Sequence, residues 1–415
     1  MIILIITIIF IFEISIFLAM SKRVEYYSPV LFFVALPVFY ASSLFLDHVI
    51  SNRGLLELKS MAPTLSVDSF TYLVIVLFTF FFTIGVYSAY LAKIRRFNEF
   101  CIHRKKQILE FDLKNSYSWL KLLIILLCLF YIVLLISQIY GLSRNDIKAL
   151  SSPIRSLLSL SAFIFLCFSL MYKWRFKSLN MLILVTLLTY SIISFERENI
   201  LLVIFALAVN RPPLRLSFFH MFAGLFLFGL MIYYKALVWS VIGLINGQGI
   251  DQIISNLSSQ GVRLTHVDPA ASLLMLADFI DNDSAFIGYY GSYFVNTIMQ
   301  ILRMITDIHW VSLGEFSTQH YTNGMMGTAF SMIIESILNF GYFGPLVIGF
   351  VITYLFFKTE KITGIYYKLH YFIWFLFMLK FVRTELAVVL KLYILPAIIA
   401  YLLFVYVTKK NRSNV

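Results

Sequence analysis

Hydrophobic and polar residues follow each other along this chain in long blocks. Segments of about 20 apolar residues carry almost no charge. The shorter polar segments between them contain most of the Lys and Arg. A helix needs about 20 apolar residues to cross the roughly 30 Å hydrocarbon core of a bilayer. The pattern therefore predicts helices that span a membrane, at about eleven places along the chain.

The predicted spans form two blocks separated by one long polar segment. The first block, residues 1–242, contains predicted spans at 2–20, 29–47, 69–92, 120–140, 154–172, 178–195, 199–210 and 216–242. A large loop follows at 243–326, and the C-terminal membrane segment, 327–415, contains predicted spans at 341–357, 364–380 and 386–407. We expect an all-α polytopic membrane protein, a bundle of about eleven transmembrane helices with one large, partly helical loop.

The composition excludes an ordinary soluble protein. Hydrophobic residues make up 60% of the chain and charged residues only 13%, whereas soluble domains have roughly 25% charged residues. The net charge of +12 does not indicate nucleic-acid binding, because most of the basic residues lie in short loops between predicted spans. Loop charge of that kind is what the positive-inside rule describes.

Basic residues are unevenly divided between the two sets of alternating loops. Cytoplasmic loops carry the excess of Lys and Arg, so the richer set is assigned to the cytoplasm. The N-terminus and the loop at 243–326 are then external, and the C-terminus is cytoplasmic. The richer set holds 20 of the 33 basic residues: Lys22, Arg23, Lys93, Arg95, Arg96, Arg104, Lys105, Lys106, Lys114, Lys173, Arg175, Lys177, Arg211, Arg215, Lys358, Lys361, Lys368, Lys409, Lys410 and Arg412.

The first apolar segment differs from a secretory signal peptide. No basic residue precedes it, and Lys22 and Arg23 directly follow it. A signal peptide has its positive charge before the apolar core and a small-residue cleavage site after it. We therefore expect an uncleaved first span, in which Glu13 serves as a partner for a neighbouring helix.

The apolar segment after the loop is too long for one span and contains a glycine-rich break at Asn339–Pro345. We expect a short helix at about 327–339, lying at or dipping into the outer interface, followed by a span that begins at about residue 341. The break divides two helices because glycine adopts backbone conformations that other residues avoid.

Three polar residues share one face of that short predicted helix. Ser331, Glu335 and Asn339 are spaced i, i+4 and i+8, which makes a stripe about 12 Å long at 1.5 Å per residue. Unsatisfied polar groups are costly in hydrocarbon, so the stripe requires a polar cavity or polar partners. Glu335 is either a general base in such a site or a partner of a neighbouring span.

Four arginines near the predicted outer surface are candidates for binding a phosphate or diphosphate. Arginine presents a planar fork that makes bidentate, charge-assisted hydrogen bonds to such groups. The alternative is that each arginine anchors its helix at the interface by extending its charged end toward water. Arg197 lies between two acidic residues and is the one most consistent with a structural salt bridge. The four are Arg197, Arg263, Arg303 and Arg383.

Two histidines of the loop, His266 and His320, are candidate general bases, because imidazole titrates near neutral pH. Each is also compatible with a purely structural role. The sequence ADFIDNDSA groups three aspartates, which an exposed helix end followed by a turn explains without a metal. The chain contains no P-loop, dinucleotide-binding fingerprint, zinc-ligand spacing or G-x-S-x-G motif, so we predict neither a metal nor a cofactor.

Three sequence segments together resemble the oligosaccharide repeat-unit polymerases, the Wzy-type polymerases of O-antigen and capsular polysaccharide. The first is YYGSYFVNTIMQILR, Tyr289–Arg303. The second is GMMGTAFSMIIESILNFGYFG, Gly324–Gly344, with the pattern E-x-x-x-N-F-G-x-x-G. The third is RTEL, which begins at Arg383. One departure is that Leu302 precedes Arg303 where the family pattern leads us to expect proline.

The resemblance implies a membrane glycosyltransferase that uses no nucleotide sugar. A glycan on undecaprenyl diphosphate is the implied donor, and the end of a second lipid-linked repeat unit is the implied acceptor. The protein would lie in a bacterial inner membrane with its large loop in the periplasm, alongside a chain-length regulator and a flippase. Under this hypothesis Arg263, Arg303 and Arg383, with Arg197 as a fourth candidate, hold the diphosphate. His320, His266 or Glu335 then acts on the acceptor hydroxyl.

Two other functions remain open from the sequence. An O-antigen ligase has the same general shape and donor but transfers finished glycan to lipid A core, and the E-x-x-x-N-F-G pattern favours the polymerase. A lipid-linked oligosaccharide transporter or flippase needs polar residues through the middle of many spans. Here the central parts of most predicted spans are uniformly apolar, and polar residues gather at the outer end. This argues against a path for translocation.

Overall fold

The structure is a computed structural model, and it describes the chain in segments. The described residues are 1–24, 28–50, 67–108, 275–281, 283–306, 308–322, 331–363, 367–381 and 384–390, together with short groups or single positions at 129, 132, 181, 185, 201, 205, 249–251, 254–255, 394–395, 397–399 and 402.

All regular structure within these residues is helical, with no strand. The helices are α1 (Ile2–Ser21), α2 (Pro29–Ile50), α3 (Ser69–Ile108), α4 (Ser292–Ile305), α5 (Leu313–Thr322), α6 (Met332–Phe340), α7 (Gly344–Thr363), α8 (Tyr367–Phe381) and α9 (Leu386–Val389). Two 3-10 turns, Asp283–Tyr289 and Gly341–Phe343, precede α4 and α7.

Four segments are long and apolar enough to cross a membrane: Ile2–Ser21, Pro29–Leu46, Ser69–Lys93 and Met332–Glu360. A shorter apolar helix covers His370–Phe381. These segments confirm the first three predicted spans and the span predicted at 341–357, and they make the chain a helical membrane protein. Apart from the isolated positions given above, the predicted spans at 120–140, 154–172, 178–195, 199–210 and 216–242, and most of 386–407, lie outside the described residues. The total of about eleven therefore stays a prediction.

Helix α3 is 40 residues long and extends well beyond its apolar part. The sequence predicted a basic loop after residue 92, whereas the helix continues through Lys93 and Cys101 to Ile108. Lys, Arg, Glu and Gln are good helix formers. Hydropathy therefore locates the end of the membrane-spanning part, but it does not locate the end of the helix.

Helices α3 and α7 pack closely and run parallel. A Cβ added to Gly85 would collide with the backbone of Leu346 and Phe350, and one added to Gly349 would collide with the backbone carbonyl of Phe82. Small residues permit this close approach of two helix backbones in a membrane. The glycines therefore fix α7 against α3.

Several basic residues share one end of this bundle. Arg23, just after α1, interacts electrostatically with Tyr90 of α3, and the Lys93 ammonium lies 4.4 Å from the ring centre of Tyr354 in α7. Lys358 follows one helical turn later in α7. These basic residues were predicted to face one side of the membrane, and the structure places them together. We call this the basic end.

Glu13 lies buried in the middle of α1. Its Oε1 accepts a 3.4 Å hydrogen bond from the Thr83 hydroxyl of α3. The predicted role as a partner of a neighbouring helix is therefore confirmed.

The predicted break between α6 and α7 is also present. Gly341 ends α6 with φ of 65°, a left-handed conformation that favours glycine. A Cβ on Gly344 would collide with the Ser336 backbone, so α7 starts directly against the preceding helix. Helix α6 begins at Met332, and Ser331 before it is extended, so the helix starts later than the predicted position near 327. Residues 327–330 lie outside the described residues. The break lies at the end of α7 opposite to the basic end.

Candidate functional site

A buried polar cluster lies where α4, α6, the start of α5 and the start of α9 meet. Its central members are Ser292, Asn296, Glu335, Asn339 and Glu385, and we call it the polar cluster. Four of these five side chains are buried, and Asn339 is half-buried. Buried polar groups need hydrogen-bond partners, so their contacts define the site.

Helix α6 supplies Glu335 and Asn339, one turn apart. The Asn339 amide donates to the Ser292 hydroxyl at 3.1 Å, and that hydroxyl donates to Glu335 Oε1 at 3.0 Å. The third residue of the predicted stripe, Ser331, instead forms the N-cap of α6, where its oxygen accepts a hydrogen bond from the Ile333 N–H. Two of the three stripe residues therefore meet α4.

Glu335 uses both carboxylate oxygens. While Oε1 accepts from Ser292, Oε2 accepts a 2.9 Å hydrogen bond from the Leu386 N–H at the start of α9. The side chain is fully buried. Glu335 thus joins α6 to α4 and α9, and its predicted role as a general base stays a prediction.

Glu385 is the second acid of the cluster and is almost fully buried. Its Oε2 accepts from the Asn296 amide and from the Leu313 N–H, both at 2.8 Å. The Ser312 hydroxyl and the Gly314 N–H lie nearby, but Oε1 has no hydrogen bond within the described residues. One oxygen of this carboxylate therefore fixes α4 and α5, and the other remains unpaired there.

Burial raises the pKa of Glu385 above the usual range of a carboxyl group, although the nearby hydrogen-bond donors oppose the shift. Desolvation disfavours the charged form, and donors favour it. A carboxyl group with a raised pKa is better suited to accept or return a proton near neutral pH than an ordinary glutamate is.

The network continues from Asn296 to Arg303. The Trp310 indole N–H donates to Asn296 Oδ1 at 2.9 Å, and Arg303 Nη1 donates to the Trp310 carbonyl at 3.0 Å. The same nitrogen contacts both carboxylate oxygens of Glu315, at 2.9 and 2.8 Å. Arg303 is therefore joined to Glu385 through Trp310 and Asn296.

The guanidinium of Arg303 is hydrogen-bonded to described residues through only one of its nitrogens. Its hydrogen bonds to described residues all run through Nη1, and its side chain is 37% exposed. The remaining N–H donors have the fork geometry that suits phosphate oxygens. Of the four arginines predicted to bind a diphosphate, Arg303 is the one in the described part of the chain.

A capping box starts α5 beside Arg303. The Ser312 hydroxyl accepts from the Glu315 N–H at 3.1 Å, and Glu315 Oε2 accepts from the Ser312 N–H at 3.0 Å. This reciprocal pair satisfies two otherwise unpaired N–H groups at the helix start. Burial alone would raise the pKa of Glu315, but the donors from Ser312 and Arg303 outweigh it, and the pKa is lowered.

His320 lies near the other end of α5, about 10 Å along the helix axis from Leu313 at 1.5 Å per residue. Its Nε2 is 3.4 Å from a carboxylate oxygen of the buried Asp278, and its ring stacks on Phe316 at 5.2 Å. Asp278, expected on an exposed helix end, is instead a buried partner for this histidine. His320 is oriented by these contacts, and it is separate from the polar cluster.

The remaining predicted site residues, Arg197, Arg263, His266 and Arg383, lie outside the described residues. Arg383 is two residues before Glu385 in the sequence. The structure therefore places Glu335 in the polar cluster, joins Arg303 to that cluster through Trp310 and Asn296, and leaves these four residues as predictions.

Two tyrosines tie the loop helices to their neighbours. The Tyr293 hydroxyl donates to the Met332 carbonyl at 2.8 Å, and the Tyr289 hydroxyl donates to the Val311 carbonyl at 3.3 Å. Burial, with the negative charges of Glu385 and Glu315, raises the pKa of Tyr289 to about 12. Both hydroxyls therefore stay protonated and act as structural donors.

Sequence reasoning missed Ser292, Asn296, Trp310 and the role of Glu385. A signal existed for α4, since Ser292, Asn296 and Gln300 are polar at i, i+4 and i+8 in an otherwise apolar helix. The contacts of Glu335 and Glu385 to backbone N–H groups have no sequence signal, because every residue except proline carries that donor.

The four long apolar helices and the polar cluster at one end of the bundle define a helical membrane protein with a buried two-carboxylate site. No protein-family model matches the sequence, and it has no significant match to a curated protein or to a solved structure.

Proposed function

We propose that the protein polymerises undecaprenyl-diphosphate-linked oligosaccharide repeat units into O-antigen or capsular polysaccharide. The observation that carries this proposal is the meeting of three distant sequence segments in one polar cluster. These are the segments that resemble the repeat-unit polymerases: Tyr289–Arg303, the E-x-x-x-N-F-G-x-x-G part of Gly324–Gly344, and the RTEL sequence that contains Glu385.

The residues that define those patterns have structural roles that support a common site. Glu335 and Asn339 of the second segment bind Ser292 of the first. Glu385 of the third binds Asn296, also of the first. These contacts join residues as far as 89 positions apart, so the three segments lie together in the fold, as motifs that act in one site must.

The position of the polar cluster supports activity at the outer membrane face. The basic end contains Arg23, Lys93 and Lys358, and the positive-inside rule assigns such an end to the cytoplasm. The polar cluster is joined to the opposite end of α7. Lipid-linked sugars exposed at the outer leaflet would meet it there.

The proposed reaction forms one glycosidic bond and breaks one bond to a diphosphate. A hydroxyl oxygen of the acceptor sugar attacks the anomeric carbon of the donor glycan. The bond from that carbon to the diphosphate oxygen breaks with both electrons, and undecaprenyl diphosphate leaves. The hydroxyl proton goes to a general base, so atoms and charges balance without a cofactor.

The reaction requires a group that stabilises the leaving diphosphate and a group that accepts the hydroxyl proton, and the site offers a candidate for each. The open edge of Arg303 can stabilise negative charge that develops on the leaving diphosphate. Glu385 Oε1, which has no hydrogen bond among the described residues, would accept the hydroxyl proton under this proposal. Because Glu385 is buried, the surrounding side chains would have to move to admit the acceptor sugar. Glu335, with both oxygens occupied, would position α4 and α9. His320 and the four site residues outside the described part remain candidates for the same tasks.

The test uses a deletion strain complemented with wild type, Arg303→Ala or the matched control Glu315→Gln. Glu315→Gln removes the ion pair of Arg303 but keeps its guanidinium. We expect Arg303→Ala to lower polymer formation at least 10-fold, since a charge-assisted hydrogen bond contributes about 1.5–3 kcal/mol, while Glu315→Gln retains the polysaccharide ladder.

The glycan that the deletion strain carries on its lipid core distinguishes a polymerase from a ligase or a flippase. Lipid core carrying a single repeat unit supports the polymerase. Core without any repeat unit, together with accumulated lipid-linked polymer, identifies a ligase. Loss of externally exposed lipid-linked repeat units identifies a flippase, and an unchanged ladder in a strain without a second copy of the gene contradicts all three.

A further inference from the structure

Helix α4 has its polar face inward and its apolar face outward. Ser292, Asn296 and Gln300 are buried against the rest of the protein. On the opposite side Phe294 is 76% exposed and Ile298 is 52% exposed, with Val295 also on this face. A helix on a water-exposed protein surface shows the reverse arrangement. We call the exposed side, which also includes Ile301, the α4 apolar face.

The depth of α4 is fixed by its contacts with α6. The Gly291 N–H donates to the Leu338 carbonyl at 3.1 Å, and the Tyr293 N–H donates to Asn339 Oδ1 at 2.9 Å. Helix α6 begins a segment, Met332–Glu360, that is long and apolar enough to span a membrane. The start of α4 therefore lies beside the outer part of a candidate span.

The α4 apolar face continues into other exposed apolar surface. The Phe340 ring contacts Tyr293 at 6.0 Å between centroids, and Tyr342 and Phe343 in the following turn are each 67% exposed. Exposed aromatic residues at a span end are typical of the membrane interface. Further along α7, Phe350 and its neighbour Val351 are also exposed, as expected for a lipid-facing helix.

We propose that the α4 apolar face is immersed in the lipid of the outer leaflet, so that α4 is a membrane-inserted helix and not part of a water-covered lid. The occupant of this face is bilayer hydrocarbon, because the start of α4 lies against Phe340 at the exposed aromatic turn that leads into α7, and because Ser292 and Asn296 on its other side are hydrogen-bonded within the protein. Apolar faces of this kind bind at the boundary between headgroups and acyl chains.

This inference does not depend on the reaction that the site performs. It places the polar cluster directly behind a lipid-facing helix, with Ser292 and Asn296 on the side of α4 away from the lipid. A substrate with a lipid tail would then approach the polar cluster along the bilayer and not through the aqueous loop.

The test is site-directed fluorescence in lipid vesicles with the full-length chain. The native cysteines Cys101, Cys128 and Cys167 are replaced by serine, and an environment-sensitive NBD label is attached to Phe294→Cys or Ile298→Cys. Phe350→Cys on α7 serves as the lipid-facing control. Gln319→Cys, on an exposed position of α5, serves as the water-facing control.

We expect doxyl-labelled phosphatidylcholine to quench the labels at residues 294 and 298 at least twofold more than the label at residue 319, and to a degree similar to that at residue 350. Aqueous iodide should show the opposite order. Strong iodide quenching at 294 and 298 would overturn the proposal. Protection from both quenchers would overturn it equally, because protein and not lipid would then cover the face.

Discussion

Replacing Glu385 with alanine tests whether this buried carboxylate holds the start of α5 in place. Its Oε2 accepts hydrogen bonds from the Leu313 N–H and from the Asn296 amide, both at 2.8 Å. Alanine leaves both donors without this acceptor in a buried position. We therefore expect the first turn of α5 to open more readily. The candidate spans among the described residues accept no hydrogen bond from this carboxylate's two donors, so we expect them to keep their packing.

The magnitude follows from the two hydrogen bonds. A hydrogen bond to a charged group contributes about 1.5–3 kcal/mol, and a buried donor without an acceptor costs about 1–3 kcal/mol. We take the low end of that range for each of the two hydrogen bonds. We expect the opening free energy of the first turn of α5 to fall by about 3 kcal/mol, equivalent to roughly 100-fold faster exchange of its amide hydrogens.

The assay is hydrogen exchange by mass spectrometry of the protein in lipid nanodiscs, followed on peptides that cover residues 308–322. Glu385→Gln keeps one acceptor oxygen and should show a smaller increase than Glu385→Ala. Thr384→Ala is the matched control, since its hydroxyl donates only to the Lys380 carbonyl one turn back among the described contacts, and it should leave α5 unchanged.

Wild-type exchange rates in α5 of Glu385→Ala would refute the reasoning, because the carboxylate would then contribute nothing to holding that helix. An equal increase in Thr384→Ala would also refute it, since the effect would come from the loop backbone and not from the acid. Faster exchange throughout the protein in Glu385→Ala but not in Glu385→Gln would show that the carboxylate supports the whole bundle, contrary to the local effect argued here.

Two further predictions concern packing and pH. Gly85→Ala forces a Cβ into the α7 backbone and should destabilise the protein by about 1–3 kcal/mol, seen as a lower thermal midpoint in detergent. Gly288→Ala, where an added Cβ has open space, should change the midpoint little, and equal effects would contradict the close helix contact. The pKa of Glu315 is lowered by Ser312 and Arg303, so its stabilisation of α5 is present above the ordinary carboxyl pKa of about 4.3 and is lost as the pH falls through the folded value. After correction for intrinsic rates, amide hydrogen exchange in α5 of the wild type should accelerate at low pH. The acceleration should correspond to less than about 1 kcal/mol, since the Arg303–Glu315 ion pair is exposed. The same acceleration in a Glu315→Gln variant would contradict this prediction.

The sequence allowed the α6–α7 break to be predicted because its cause is local. Gly341 adopts φ of 65°, and Gly344 lies too close to the Ser336 backbone for a side chain. Both structural requirements select glycine at fixed positions, so they can be recognised in the amino-acid sequence. The pairing of Glu335 and Asn339 on one face follows equally from helical spacing, whereas Ser331 departs from the stripe because it begins the helix and caps it.

The polar cluster could be predicted only in part, because hydropathy does not give the direction in which a helix faces. The alternation in α4 shows that one side is polar and the other apolar. In water the apolar side turns inward, and in a membrane the polar side does. Without the depth of α4 the sequence allowed either orientation, so Ser292 and Asn296 were not recognised as buried site residues.

Glu385 illustrates a second limit. Its partners include the backbone N–H of Leu313, which comes close only after α5 folds against α9. The residue was visible as an acid near a predicted span, but its function as an acceptor depends on contacts 72 and 89 positions away. Such contacts are a consequence of the fold and leave no local pattern.

A second buried polar group, near the basic end, shows why burial alone does not identify a functional site. There the Tyr371 hydroxyl donates to Glu360 at 2.8 Å, and the Trp374 indole donates to His370 at 2.7 Å. These contacts join residues 11 and 4 positions apart, within α8 and between α8 and the end of α7. Hydrogen bonds of this kind, between neighbouring helices of a hairpin, are common in membrane proteins.

The polar cluster differs from that group in two respects that bear on function. It joins segments far apart in sequence, and it connects to an arginine that is partly exposed. The free N–H donors of that guanidinium are the groups that would hold the leaving diphosphate under the proposed function, so the proposal places the reaction at this end of the bundle and not at the basic end.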